Sequence, residues 1–176
     1  PPVRQAALNR LKDFAIDLNG PIRVIHGRMD KLPETARIEG WTMDMVEYKK
    51  LAMREACERA LSSCGLKLIA LRGDSVLAIT SALDAGRATK VLTSLHEAIL
   101  VNHGVTTFWG VSASCDSPSH LPSANSEAIC AALAVVRLRT TKSPVVIHEQ
   151  LGVLTLLLQD SGNTDGQDFH KFIKRT

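Results

Sequence analysis

"LIALRGDSVLAI", residues 68–79, sets Arg72, Gly73, Asp74 and Ser75 between two apolar runs. With its neighbours the stretch becomes "LKLIAL" and "SVLAIT" on either side of Arg-Gly-Asp, two segments of strand length around a turn-forming Gly-Asp pair. It reads as a β-hairpin in which Gly73 takes a positive φ and Asp74 bonds locally. Arg-Gly-Asp is also an adhesion tripeptide, but that role needs an extracellular setting. The four cysteines, Cys57, Cys64, Cys115 and Cys130, form no C-x-x-C pair, and two fall on apolar helical faces. They read as buried free thiols of a reducing compartment. No signal-peptide pattern opens the sequence and no apolar run reaches ~18 residues. A cytoplasmic chain with no membrane partner is expected, and the hairpin reading stands.

Working outward, residues 3–18 are expected to form a leading helix with Ala7, Leu11, Phe14 and Leu18 on one face, broken by Asn19-Gly20-Pro21. "PIRVIHGRMD", residues 21–30, alternates Ile22, Val24 and His26 against Arg23 and Ile25 and predicts a strand, with a loop over 33–40. Thr42 caps a long helix with Asp44 in its first turn. Val46, Met53, Cys57, Ala60, Leu61 and Cys64 make its apolar stripe, and Gly65 stops it. After the hairpin, Asp84 opens a second long helix, with Ala88, Val91, Leu92, Leu95 and Ile99 at helical spacing until Gly104. "VTTFWGVSAS" predicts a strand, "SCDSPSHLPS" a loop, and Ser123 the start of a helix over 124–139. Residues 144–149 predict a last strand and "VLTLLLQ" a short helix, before the polar connector "DSGNTDGQ". The order β-α-β-β-α-β-α-β describes an α+β fold, with helices packed on a mostly antiparallel sheet around a split β-α-β unit.

At 176 residues the chain is about one domain long. Aromatics are only 4%, so the core must be aliphatic. Lys and Arg exceed Asp and Glu by three, with no basic run, which does not make the chain itself a nucleic-acid binder. The sequence begins Pro1-Pro2 and closes in the helix-like "DFHKFIKRT", and it is expected to be an excerpt of a longer protein.

Three stretches in this order resemble the GGDEF-like central domain of the PucR/CdaR family of bacterial transcription regulators. They are "LIALRGDSVLAI"; "FWGVS" followed by "SEAICAALAVVR", with Glu127, Ala128, Ala131, Ala132 and Leu133; and "VVIHEQLGVLTLLLQ". The resemblance runs over residues 21–176. It implies a degenerate GGDEF-like fold, ferredoxin-like and nucleotide-cyclase-like, over residues 20–159, preceded by the leading helix of 1–19. Residues 160–176 would connect to a C-terminal helix-turn-helix outside this chain, through which alone DNA would be contacted.

The resemblance also frames the chemistry. In the related diguanylate cyclases the hairpin carries Gly-Gly-Asp-Glu-Phe, and its acidic residue joins an Asp of the first strand to hold Mg²⁺, a hard cation that prefers oxygen ligands. Here the positions read Arg72, Gly73, Asp74, Ser75 and Val76, so a Gly has become Arg and the Glu a neutral Ser. Asp30 is the one stand-in for the other metal ligand, and "KLPETARIEG" after it lacks the Phe-Lys-x-x-Asn-Asp that would hold a nucleotide. No catalytic residue, metal or cofactor is therefore expected, and Arg72 and Asp74 remain as candidate ligand contacts. The six histidines are scattered; Cys115 and His120 are the one local pair and lack two further zinc ligands. No G-x-S-x-G elbow offers a nucleophile. Arg137, Arg139 and Lys142 suit the negative end of a helix dipole. The helix of 124–139 is apolar nearly all round, hence covered on both sides or exposing a patch; Ile129, Cys130, Leu133 and Val136 are its candidate homodimer interface. The expected function is a non-catalytic signalling and dimerisation domain coupling a sensor to the helix-turn-helix. The alternatives are a sensor that binds a small molecule or nucleotide near the hairpin and, last, a residual cyclase.

Overall fold

A computed structural model describes Leu18 and residues 20–81, 83–138 and 143–152. The helix expected up to residue 18 falls, except for Leu18, outside the described residues, as do the helix and the connector expected after 152. In chain order the elements are β1 (Arg23–Met29), α1 (Leu32–Ile38), α2 (Met43–Leu61), β2 (Leu66–Arg72), β3 (Ser75–Thr80), α3 (Ala85–His103), β4 (Thr107–Val111), α4 (Leu121–Leu138) and β5 (Val145–Ile147). The strands form one sheet in the order β2-β3-β1-β4-β5. β1 pairs antiparallel with β3 and β4, and β2 antiparallel with β3; only β4 and β5 run parallel. A parallel pair needs a crossover, and α4 supplies it. The fold is α+β, as the hairpin and its surroundings predict.

Local chemistry starts and stops the long helices. Thr42 Oγ1 accepts the Met45 N–H at 3.3 Å, and Asp84 Oδ1 accepts that of Arg87 at 2.9 Å. Left-handed Gly65 and Gly104 follow their last turns. Met53, Cys57 and Leu61 of α2 and Ala88, Leu92, Leu95 and Ile99 of α3 pack on one face of the sheet with Ile25, Met29, Val76, Ala78, Trp109 and Val111. The other face receives α4: Ala124 and Ala128 meet Ile22, Val24 and Ile79, while Ala131, Ala134 and Val135 meet Val146. Both faces of the central strands are covered, which is why Val24 and Ile25 are buried alike.

Several boundaries differ from the sequence reading; β4, for one, spans only Thr107–Val111 of the expected 105–114. The expected loop over 33–40 contains α1. Pro33 reads as a breaker, but it stands in the first turn, where a missing N–H costs nothing, and buried Leu32 anchors the helix. α4 begins at Leu121 rather than Ser123, after a 3₁₀ turn over Pro118–His120. β5 is shorter than 144–149, because Pro144 offers the ladder only its carbonyl, to Trp109 N–H at 2.8 Å, and His148–Gln150 curls into a 3₁₀ turn. Cys64 lies in the 3₁₀ turn beyond α2 rather than on its stripe. The four cysteines are free; Cys57, Cys64 and Cys115 are buried. No described helix is long and apolar enough to cross a membrane.

Candidate functional site

Arg72 stands opposite Ser75, so Gly73 and Asp74 alone form the hairpin connection. Gly73 has φ 61°, and Asp74 is not among the positive-φ residues, the pattern of a type II′ turn. Nothing lies within 4 Å of a Cβ placed on Gly73, so backbone geometry alone requires glycine there. Gly73→Val should therefore destabilise the domain by about 1–3 kcal/mol in urea unfolding. An unchanged midpoint would contradict the turn type.

β1 brings a further residue to this turn. The Asp74 carbonyl accepts the Met29 N–H at 3.0 Å, and Arg28 is the cross-strand partner of Ser75. Arg28 Nε then lies 3.4 Å from Asp74 Oδ2, while Ser75 Oγ donates to Asp74 Oδ1 at 3.0 Å. Both carboxylate oxygens are engaged. With the side chains 44% and 34% exposed, the ion pair contributes at most about 1 kcal/mol to stability. Its consequence is electrostatic: a cation sits against the Asp74 carboxylate. Arg72 is exposed at the end of β2. Asp30 follows β1, its N–H on the Thr106 carbonyl at 2.8 Å, and Lys31 turns the chain into α1 at a left-handed φ of 45°. Among the described residues no three His, Cys, Asp or Glu side chains gather to hold a metal ion.

His26 shares the α4 side of β1 with Arg28. Burial pushes its pKa below the ordinary imidazole range, the Arg28 charge adds to that, and Asp74 opposes it. The neutral ring is favoured, so an uncharged imidazole stands beside the Arg28–Asp74 pair. Sequence reasoning singled out Arg72 and Asp74 and passed over Arg28 and His26. The alternation of β1 places those two on one face, but only the β1–β3 register sets Arg28 against Asp74.

On α4, Ile129, Cys130, Leu133 and Val136 are all half-buried, and Cys130 packs against the cluster around Val146. The large apolar side chains most exposed among the described residues lie elsewhere: Ile38 on α1, Met43 and Tyr48 on α2, and Val101 on α3. Tyr48 meets the His103 ring edge-on with centroids 6.2 Å apart. A groove of about 530 Å³ runs between α2 and α3, and a second of about 380 Å³ opens at the sheet end away from the hairpin. Neither includes Arg72 or Asp74.

The sequence matches the GGDEF-like domain family over residues 2–134. No curated protein sequence matches it. The fold is similar to the active GGEEF domain of a diguanylate cyclase from Vibrio cholerae, at 13% identity over 81% of this chain and 90% of that one, with a TM-score of 0.58. It is similar to the coiled coil and GGDEF domain of DgcB from Caulobacter crescentus in complex with c-di-GMP, at 13% identity over 81% and 78% of the two chains, TM-score 0.61. It is also similar to the diguanylate cyclase SiaD from Pseudomonas aeruginosa in complex with its activator SiaC, at 18% identity over 82% and 57%, TM-score 0.56. At these identities the likeness is one of fold.

Proposed function

The chain belongs to the GGDEF-like domain family, and on that footing we propose that it is a non-catalytic signalling domain of a PucR/CdaR-type transcription regulator. It relays a signal between an upstream sensor and a downstream helix-turn-helix, which makes the DNA contact, and it does so through self-association. The observation that carries the reading is the Arg28–Asp74 pair. A Mg²⁺ ion at Asp74 would have to share the carboxylate with the Arg28 guanidinium, a like charge that disfavours the metal there. The substitutions at the turn support the same reading. A domain described as active carries GGEEF, whereas this hairpin reads Arg72, Gly73, Asp74, Ser75 and Val76.

Two measurements test it. Incubated with GTP and Mg²⁺, the chain should form no cyclic dinucleotide. Mg²⁺-dependent turnover that disappears in Asp74→Ala would overturn the non-catalytic reading. In sedimentation at high micromolar concentration the chain should self-associate. Burying an apolar side chain is worth ~1.5–3 kcal/mol, so Ile129→Glu in the half-buried stripe of α4 should weaken a weak dimer about tenfold or more. A strictly monomeric chain, or a dimer indifferent to that charge, would remove α4 from the relay.

A further inference from the structure

α2 and α3 lie antiparallel on the face of the sheet opposite α4. At one end Lys49 Nζ donates to the His103 carbonyl at 2.6 Å, and Tyr48 meets the His103 ring. At the other end Arg87 Nη2 donates to the Ser63 carbonyl at 2.9 Å. The groove of about 530 Å³ between the two helices is floored by Ala56 and Ala60 from α2 and by Val91, Leu95 and Ala98 from α3. Ala98 and its neighbour Ser94 are exposed, so the described residues leave this floor open to solvent.

Both lips of the groove carry the same order of chemistry. Tyr48 and Arg59 on α2, like Val101 and Lys90 on α3, are eleven residues apart. Eleven residues are three helical turns, which return to the same line of a helix about 16 Å away. Because the helices are antiparallel, Tyr48 and Val101 stand at one end of the seam, 64% and 82% exposed. Arg59 and Lys90 stand at the other, where both line the groove. Large exposed apolar side chains that continue an open apolar floor mark an interaction surface. The charged end is cationic, for none of the described lining residues is acidic. Glu55 approaches Arg59 only to 3.9 Å, with side chains 66% and 72% exposed, and so holds it weakly. Even with Glu55 counted, one positive charge is left unmatched.

We propose that this seam docks an amphipathic helix of a partner protein, with acidic residues at the end that lies between Arg59 and Lys90. Two neighbouring helices present a groove into which the side-chain ridge of a third fits, and an alanine floor lets it come close. A small molecule in so open a groove would keep much of its surface in water, whereas ligand sites bury most of theirs. Tyr48 and Val101 receive the apolar end of the partner helix, and the two cations fix its direction along the seam. The surface is on the other side of the sheet from α4, so it stands apart from the self-association proposed above and from any catalysis at the hairpin.

Fluorescence anisotropy on the full chain tests this with two labelled synthetic helical peptides of about 14 residues, long enough to run the seam. They share one Leu/Ala stripe and differ at one end, which carries Glu in the first and Lys in the second. The Glu peptide should bind at least about tenfold more tightly than the Lys peptide, and the gap should close in ~0.5 M salt. Lys90→Glu should reverse the order of the two peptides. Ala98→Gln, a good helix former at an exposed position, should weaken the Glu peptide about tenfold by filling the floor. Should either variant not fold, the other carries the test. The proposal fails if neither peptide binds, if both bind alike at low salt, or if the folded variants bind as the parent does. It also fails if the parent sediments as a dimer that Ala98→Gln dissolves, because a second copy would then occupy the seam.

Discussion

Gly110→Leu should leave no stably folded protein. Gly110 sits in β4 where α4 crosses it, and a Cβ placed there would overlap the Ala128 carbonyl oxygen and the Ala132 nitrogen and touch the Ala131 carbonyl carbon. All three atoms are main chain inside a helical turn, so no side-chain rotation relieves the overlap; α4 must move off the sheet. It is held there by small residues, with Ala124, Ala128, Ala131 and Ala132 all buried, and moving it opens space around each of them. A leucine here combines overpacking with a displaced helix, and the loss should exceed about 5 kcal/mol, the whole stability of a domain at the low end of the usual range. Gly110→Ala is the graded version and should cost about 1–3 kcal/mol. Far-UV circular dichroism and thermal melting read both variants. A melting temperature unchanged in Gly110→Ala would mean that α4 stands farther from β4 than described.

The legibility of this molecule follows from the range of the interactions involved. The hairpin is local: Gly73, Asp74 and the two apolar runs sit within fifteen residues, from Leu66 to Thr80, and the register Arg72↔Ser75 follows from the turn. The helix starts at Thr42 and Asp84 are equally local, each a side chain bonding a backbone N–H three residues on. α1 was hidden because Pro33 carries two meanings, breaker in a helix interior and favoured residue in a first turn, and buried Leu32 decides between them only once the sheet exists to bury it. The hairpin site was half legible. Ser75 in place of an acid is visible in the sequence, whereas the Arg28 guanidinium beside Asp74 joins residues 46 positions apart through the β1–β3 register. The cavity at the other sheet end was not legible at all. Its lining comes from three separate stretches, 21–23, 80–84 and Ser114, which only the folded sheet brings together. The apolar periphery of α4 was legible as a stripe, but not in how far its neighbours cover it. Composition shows four large side chains with no obvious cover, but each is half-buried by neighbours that no local pattern reveals.

Gly27 and Trp109 should show the strongest energetic coupling in the domain. They are direct cross-strand partners on β1 and β4, and a Cβ on Gly27 would run into the six-membered ring of the indole. Trp109 is fully buried, and its Nε1 donates to Thr107 Oγ1 at 3.0 Å, so its one polar atom is satisfied within its own strand. The pairing is a glycine covered by an aromatic ring, which recovers for the sheet the packing that a side-chain-free position forfeits. In a chain with so few aromatics, this ring is the largest of the fully buried side chains. Trp109→Ala should cost about 3–5 kcal/mol through the cavity it leaves. Gly27→Val should cost about 3 kcal/mol, because the ring has to leave its place and take its hydrogen bond with it. Combined, the two changes should cost less than their sum by about 1–3 kcal/mol, since the valine enters volume that the indole has vacated. Urea unfolding of the parent, both single variants and the double variant closes the cycle. Strict additivity would mean that the ring does not lie over Gly27, and the packing described between β1 and β4 would then be wrong.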